Sequence, residues 1–152
     1  MIPLLLSRCV EVVLSSVTAH ATKSADLAGP APGSVVRGDY AQTALHFAPD
    51  RWLLIEPEQA RIDWLVAGGA HVFEVSRKWQ AFHVSTPEEQ YALEAGFDVE
   101  CVLHERTCAR LLLYDCPVIV ATQGSDTFIY VESRYTESLC SRMKPCLGDD
   151  RR

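Results

Sequence analysis

The stretch VFEVSRKWQAFHVSTPEEQYALEAG, residues 72–96, contains a change of period that decides the fold class. Residues 72–84 alternate apolar and polar in two pieces, which predicts one long bent strand or a hairpin. At Ser85-Thr86-Pro87 the alternation stops. Thr86 can cap a helix, Pro87 suits its first turn, and Glu89 stands where a capping box needs its carboxylate. On that helix Tyr91, Ala92 and Ala95 are expected to face inward, and Gly96 to end it.

Working outward, the same punctuation repeats. QTALHFA (42–48) has strand character, Pro49-Asp50 reads as a turn, and RWLLIE (51–56) reads as a buried strand. PEQARIDWLVA (57–67) carries Ile62, Leu65 and Val66 at helical spacing, and Gly68-Gly69 stops it. ARLLLYDCPVIVATQ (109–123) predicts two strands broken near Asp115-Cys116-Pro117. DTFIYVES (126–133) predicts another, with Phe128, Tyr130 and Glu132 on one face and Ile129 and Val131 on the other. RYTESLCSRM (134–143) is the last helix, with Tyr135, Leu139 and Met143 in register. Helices separated by pairs of strands give an α+β single domain with about three helices. Short connections favour a mostly antiparallel or mixed sheet. The domain is expected over 35–144. Residues 1–34 form a poorly defined N-terminal segment that ends in the linker ADLAGPAPGS, and 145–152 form a tail.

With 152 residues, 48% of them hydrophobic, the chain can bury a core of its own. A net charge of −6 with no Lys/Arg cluster argues against a nucleic-acid partner. No apolar run reaches the roughly 18 residues of a membrane span. Arg8 and Glu11 interrupt the apolar N-terminus, which makes a poor export signal. A cytoplasmic location with reduced thiols is therefore expected.

CVLHERTCARLLLYDC (101–116) gathers Cys101, His104, Cys108 and Cys116, four candidate zinc ligands. Their spacing lacks the close pairs of a structural site, and an extended 109–114 would separate Cys108 from Cys116. No metal site is expected. Arg106 and Arg110 flank Cys108 at strand spacing and could lower its pKa, yet no base accompanies them. His104 and Glu105 would point to opposite faces. His20, His46, His71 and His83 share no ligand spacing. Trp52, Trp64 and Trp79 read as core or interface packing. No glycine loop for a phosphate is present, so no catalytic, cofactor-binding or metal-ligating residue is assigned.

Residues 72–96 resemble the aminomethyltransferases, the T-proteins of glycine cleavage. Glu74-Val75-Ser76 stands for their Asp-Val-Ser, and Ser85-Thr86-Pro87 replaces their turn. A shorter relative is closer: the gamma subunit of heterotetrameric sarcosine oxidase. FAPDRWLLI, AGFDVEC, TCARLLL with its Cys108-Ala109-Arg110, and DTFIYVESRYTESLCSRM are similar to segments of that family, in the same order, over about residues 40–144. The resemblance implies a T-protein-like fold and a non-catalytic subunit with alpha-, beta- and delta-type partners. The complex would oxidatively demethylate an N-methyl amino acid with FAD, FMN, NAD and tetrahydrofolate, none of them bound by this chain. Zinc would belong to the delta subunit. Subunits of N-methylglutamate-type dehydrogenases and small folate-binding aminomethyltransferase-like proteins are the alternatives. T-proteins carry an acidic pair on the strand that corresponds to Pro117-Val118-Ile119-Val120. That strand has no carboxylate here, so the scaffold is expected without the reaction. Trp52, Arg110 and Tyr135 are the residues expected to face a partner.

Overall fold

A computed structural model describes residues 1–14, 35–37, 43–48, 50–97, 108–123 and 125–147. The elements in chain order are β1 (Ile2–Leu4), β2 (Cys9–Val13), β3 (Val35–Arg37), β4 (Thr43–Ala48), β5 (Arg51–Ile55) and α1 (Gln59–Ala67). There follow β6 (His71–Glu74), β7 (Trp79–Val84), α2 (Pro87–Gly96), β8 (Cys108–Leu113), β9 (Cys116–Gln123) and β10 (Asp126–Glu132). A 3-10 turn at Ser133–Tyr135 leads into α3 (Thr136–Leu147).

The described strands form two five-stranded sheets, ordered β3-β4-β5-β2-β6 and β1-β7-β10-β9-β8, and every pairing among the described residues is antiparallel. Alternation of side chains across each strand sorts the core into three layers. On the outer face of the first sheet, Val10, Val12, Trp52 and Leu54 meet Ile62 and Leu65 of α1. Between the sheets, Cys9, Leu45, Leu53 and Ile55 meet Trp79, Ala81, Cys108, Ile119 and Tyr130. On the outer face of the second sheet, Phe82, Val118, Val120, Ile129 and Val131 meet Ala92, Leu93, Leu139 and Met143 of α2 and α3. The order helix, sheet, sheet, helices makes an α+β single domain with three α-helices among the described residues.

The expected faces of DTFIYVES are observed. Tyr130 lies in the layer between the sheets, while Ile129 and Val131 face the helices. Tyr114 and Asp115, at φ 48° and 63°, close the β8–β9 hairpin as its two central residues. The capping box also forms: Glu89 N–H donates to Thr86 Oγ1 at 3.2 Å, and Thr86 N–H donates to Glu89 Oε2 at 3.2 Å.

Other expectations are corrected. Residues 72–84 are neither one bent strand nor a hairpin, because β6 and β7 belong to different sheets. Between them the chain turns from Val75 to Lys78, where Lys78 N–H donates to Val75 O at 2.9 Å. The inward face of α2 is Ala92, Leu93 and Gly96, with Tyr91 and Ala95 turned to solvent. On α1, Val66 is exposed and only Ile62 and Leu65 are buried. Within the segment 1–34, residues 1–14 supply two strands. Strand β2 lies between β5 and β6, and β1 extends the second sheet beside β7. The boundary at 144 falls inside α3, which continues to Leu147. The linker at 25–34 lies outside the described residues.

Candidate partner-docking site

The second sheet does not cover all of the first. Across β5, β2 and β6, Leu53, Glu11 and Phe73 form one cross-strand row, and Arg51, Val13 and His71 form the next. Leu53 is covered, whereas Phe73 is 54% exposed. The uncovered corner is a cleft of ≈ 510 Å³ lined by Glu11, Val13, Arg51, His71, Phe73, Val75 and Lys78.

Glu11 is the electrostatic centre of this cleft. Strand β2 reads Cys-Val-Glu-Val-Val, and Glu11 falls on the side that faces the second sheet. A carboxylate is removed from water there only if cations compensate it. Lys78 Nζ lies 3.5 Å from Glu11 Oε2, and Arg51 Nη1 lies 3.7 Å from Oε1. Both distances exceed a good hydrogen bond, and both cationic side chains remain partly exposed. Lys78 also sits over the Trp79 ring at 5.3 Å.

The connection between β6 and β7 holds the corner in place. Ser76 Oγ accepts from Cys9 N–H at 3.1 Å and donates to Glu74 Oε1 at 3.0 Å. Arg8 donates from Nε and Nη2 to both oxygens of Glu74, each at 3.2 Å. The Arg8 bonds hold the Glu74 carboxyl below the usual glutamate range, against a smaller opposing effect of burial. Glu74 and Ser76 are the residues read from the sequence as the Asp-Val-Ser equivalent. Here they bind β6 to β2.

A second cleft of ≈ 490 Å³ lies on the other side of the same connection, lined by residues 3–6 together with Ser76, Arg77, Trp79, Gln80 and Ser133. Its apolar lip includes Leu5, which is 96% exposed. The 75–79 stretch contributes to both, with Val75 and Lys78 lining the first cleft and Ser76, Arg77 and Trp79 the second.

The residues singled out from sequence do not converge. Trp52 is 0% exposed and packs under α1, stacked on His46 at 4.1 Å, so its side chain cannot face a partner. Arg110 is exposed on β8. Tyr135 is half-buried beside α3, with the Arg134 guanidinium over its ring at 4.7 Å. Cys108 lies between the sheets and Cys116 lies under the helices, on opposite faces of one hairpin. Those two thiols therefore cannot ligate one ion. Cys101, His104, Glu105 and Arg106 lie outside the described residues. Burial pushes the Cys108 thiol up to about 12, against a smaller opposing effect of a backbone hydrogen bond with His46. Arg110 does not activate it. Asp115 pairs instead with Arg142, Nη1 to Oδ2 at 3.1 Å. Among the described residues no group of three metal-ligating side chains converges.

Sequence reasoning missed Glu11, Arg51 and Lys78. The one signal was an acidic residue inside an otherwise apolar strand.

No protein-family model matches the sequence, and no curated protein matches it. Solved structures do match. A chain of the heterotetrameric sarcosine oxidase from Corynebacterium sp. U-96, solved in complex with pyrrole 2-carboxylate, is similar with a TM-score of 0.77 and 20% identity. The match covers 95% of this chain and 81% of that one. The glycine cleavage system aminomethyltransferase T from Bartonella henselae is similar with a TM-score of 0.62 and 15% identity. That match covers 99% of this chain but 45% of the aminomethyltransferase. The fold is thus T-protein-like, an α+β domain with antiparallel sheets. In particular, it resembles a chain of a heterotetrameric sarcosine oxidase. Among the described residues no helix is long and apolar enough to cross a membrane.

Proposed function

We propose that this chain is a non-catalytic, gamma-type subunit of a cytoplasmic, sarcosine-oxidase-like complex that oxidatively demethylates an N-methyl amino acid. The observation that carries this reading is the reciprocity of the structural match. Similarity extends over 95% of this chain and 81% of the oxidase chain, against 45% of the aminomethyltransferase. Strand β9, Cys116–Gln123, carries no carboxylate where the T-protein pair belongs. The two buried carboxylates among the described residues are engaged, Glu11 with Arg51 and Lys78, and Glu132 with Arg134 at 2.9 Å. In this reading FAD, FMN, NAD and tetrahydrofolate belong to alpha- and beta-type subunits, zinc belongs to a delta-type subunit, and this chain braces the alpha-type subunit.

The test is co-expression with the large flavoprotein subunit from the same host. A stoichiometric complex is expected, with all flavin absorbance on the partner and higher melting of this chain on assembly. Turnover of sarcosine or a folate adduct by the lone chain at an enzymatic rate would overturn the proposal.

A further inference from the structure

We infer that the open corner of β2, β5 and β6 receives a carboxylate of the partner subunit, set among apolar side chains that cover Val13 and Phe73. This inference rests on the subunit reading and names the surface that reading requires.

Charge decides the occupant. The chain as a whole carries −6, yet among the described residues this cleft holds Arg51 and Lys78 around one carboxylate, that of Glu11. Neither cation lies within strong hydrogen-bonding distance of Glu11, at 3.7 and 3.5 Å, and each keeps nearly half of its side chain exposed. Donors on both therefore remain for a second carboxylate. That group would sit over Val13, between β5 and the β6–β7 connection, and its approach would be favoured by the local excess of positive charge.

The apolar part indicates a protein surface. Phe73 is 54% exposed on β6, facing the same cleft as Val13 and Val75. The second cleft, lined in part by the same 75–79 stretch, adds Leu5 at 96% exposure. The first cleft alone, at ≈ 510 Å³, is wider than one small carboxylate needs. An exposed aromatic beside charged side chains is a common anatomy of an anchoring contact.

The experiment uses the co-expressed complex. Arg51→Gln/Lys78→Gln is expected to weaken assembly about tenfold at low salt, with the difference narrowing as salt rises. Phe73→Ala is expected to weaken assembly at all salt concentrations. Should the double variant fail to fold, a photo-crosslinking phenylalanine analogue at position 73 decides the matter. The expected crosslink is to a partner peptide that contains Asp or Glu beside apolar residues. Crosslinks within this chain, to a second copy, or to a basic peptide overturn the inference. Complex formation indifferent to all three substitutions overturns it and leaves the subunit reading standing. No complex with the wild-type chain overturns both.

Discussion

The Cys108 thiol donates to the backbone carbonyl of His46 at 3.4 Å, joining β8 of one sheet to β4 of the other. In the same layer, Cys9 is fully buried. Burial pushes its thiol up to about 12, and Glu11, Glu56 and Glu74 add to the effect. Thiolate is the reactive form, so both thiols are expected to react slowly in the native protein. Alkylation with iodoacetamide at pH 8 should label the half-buried Cys140 well before Cys9 and Cys108, and unfolding in urea should release both. Mass spectrometry of the digested protein reads the order. Rapid native labelling of Cys108 would refute the arrangement of the central layer.

The capping box on α2 predicts a specific response to acid. Burial alone would raise the pKa of Glu89, but hydrogen bonds from the Met1 amino group and from the Ser85 and Thr86 N–H groups more than offset this and leave it lowered. A carboxyl lowered on folding contributes stability above its unfolded value, about 4.3. That contribution is lost as pH falls through the folded value. Glu89→Gln should therefore lower the melting temperature at pH 7 and narrow the gap from wild type as pH falls below about 4. Thr86→Ala removes the other half of the box and should cost about 1 kcal/mol at neutral pH. A Glu89→Gln deficit that stays constant down to pH 2 would show that the carboxylate's charge is not what matters.

Trp52 and Phe73 should exchange the roles that composition suggests. Trp52 is 0% exposed within the α1 layer, so Trp52→Ala opens a cavity and should cost about 3–5 kcal/mol in urea unfolding of the isolated chain. Phe73→Ala, on an exposed sheet face, should change stability by less than about 0.5 kcal/mol. A stable Trp52→Ala protein defective only in assembly would restore Trp52 to the interface.

These contrasts show what could be read from the chain. The capping box was legible because its whole chemistry lies within Thr86–Glu89, and the strand periods because alternation is local. Which sheet a strand joins is not local: nothing in Val75–Lys78 announces that β6 and β7 part company. On α2 the small residues Ala92 and Ala95 fit either side of the helix, and Leu93 settles the buried face only once α3 is in place. An aromatic has the same composition whether it fills a core or awaits a partner, which is why Trp52 was read as partner-facing. Glu11, central to the candidate site, acquires meaning only when Arg51 and Lys78 arrive from β5 and the β6–β7 connection.

Gly96 offers the sharpest conflict of magnitudes. From sequence it reads as a helix stop, the position where a left-handed glycine is favoured. In the structure it is the last residue of α2, and the one described glycine with positive φ is Gly69, at 89°. Gly96 is there for space. A Cβ at this position would meet Tyr114 Cε2 at 2.2 Å, Cδ2 at 2.4 Å and Leu113 Cδ1 at 2.7 Å. Tyr114 cannot easily withdraw, because its hydroxyl donates to Ala92 O at 2.7 Å and its N–H donates to Gly96 O at 2.7 Å. Helix propensity alone would make Gly96→Ala stabilising by up to about 1 kcal/mol. Overpacking against a ring fixed at both ends costs about 1–3 kcal/mol. The second effect should win, with a lowered midpoint in urea and an unchanged m-value. Gly96→Ala combined with Tyr114→Ala should remove the clash but lose the Ala92 hydrogen bond, so the double variant should cost less than the sum of the two single changes. Additive effects, or a single Gly96→Ala variant more stable than wild type, would mean that α2 and the β8–β9 hairpin do not approach each other this closely.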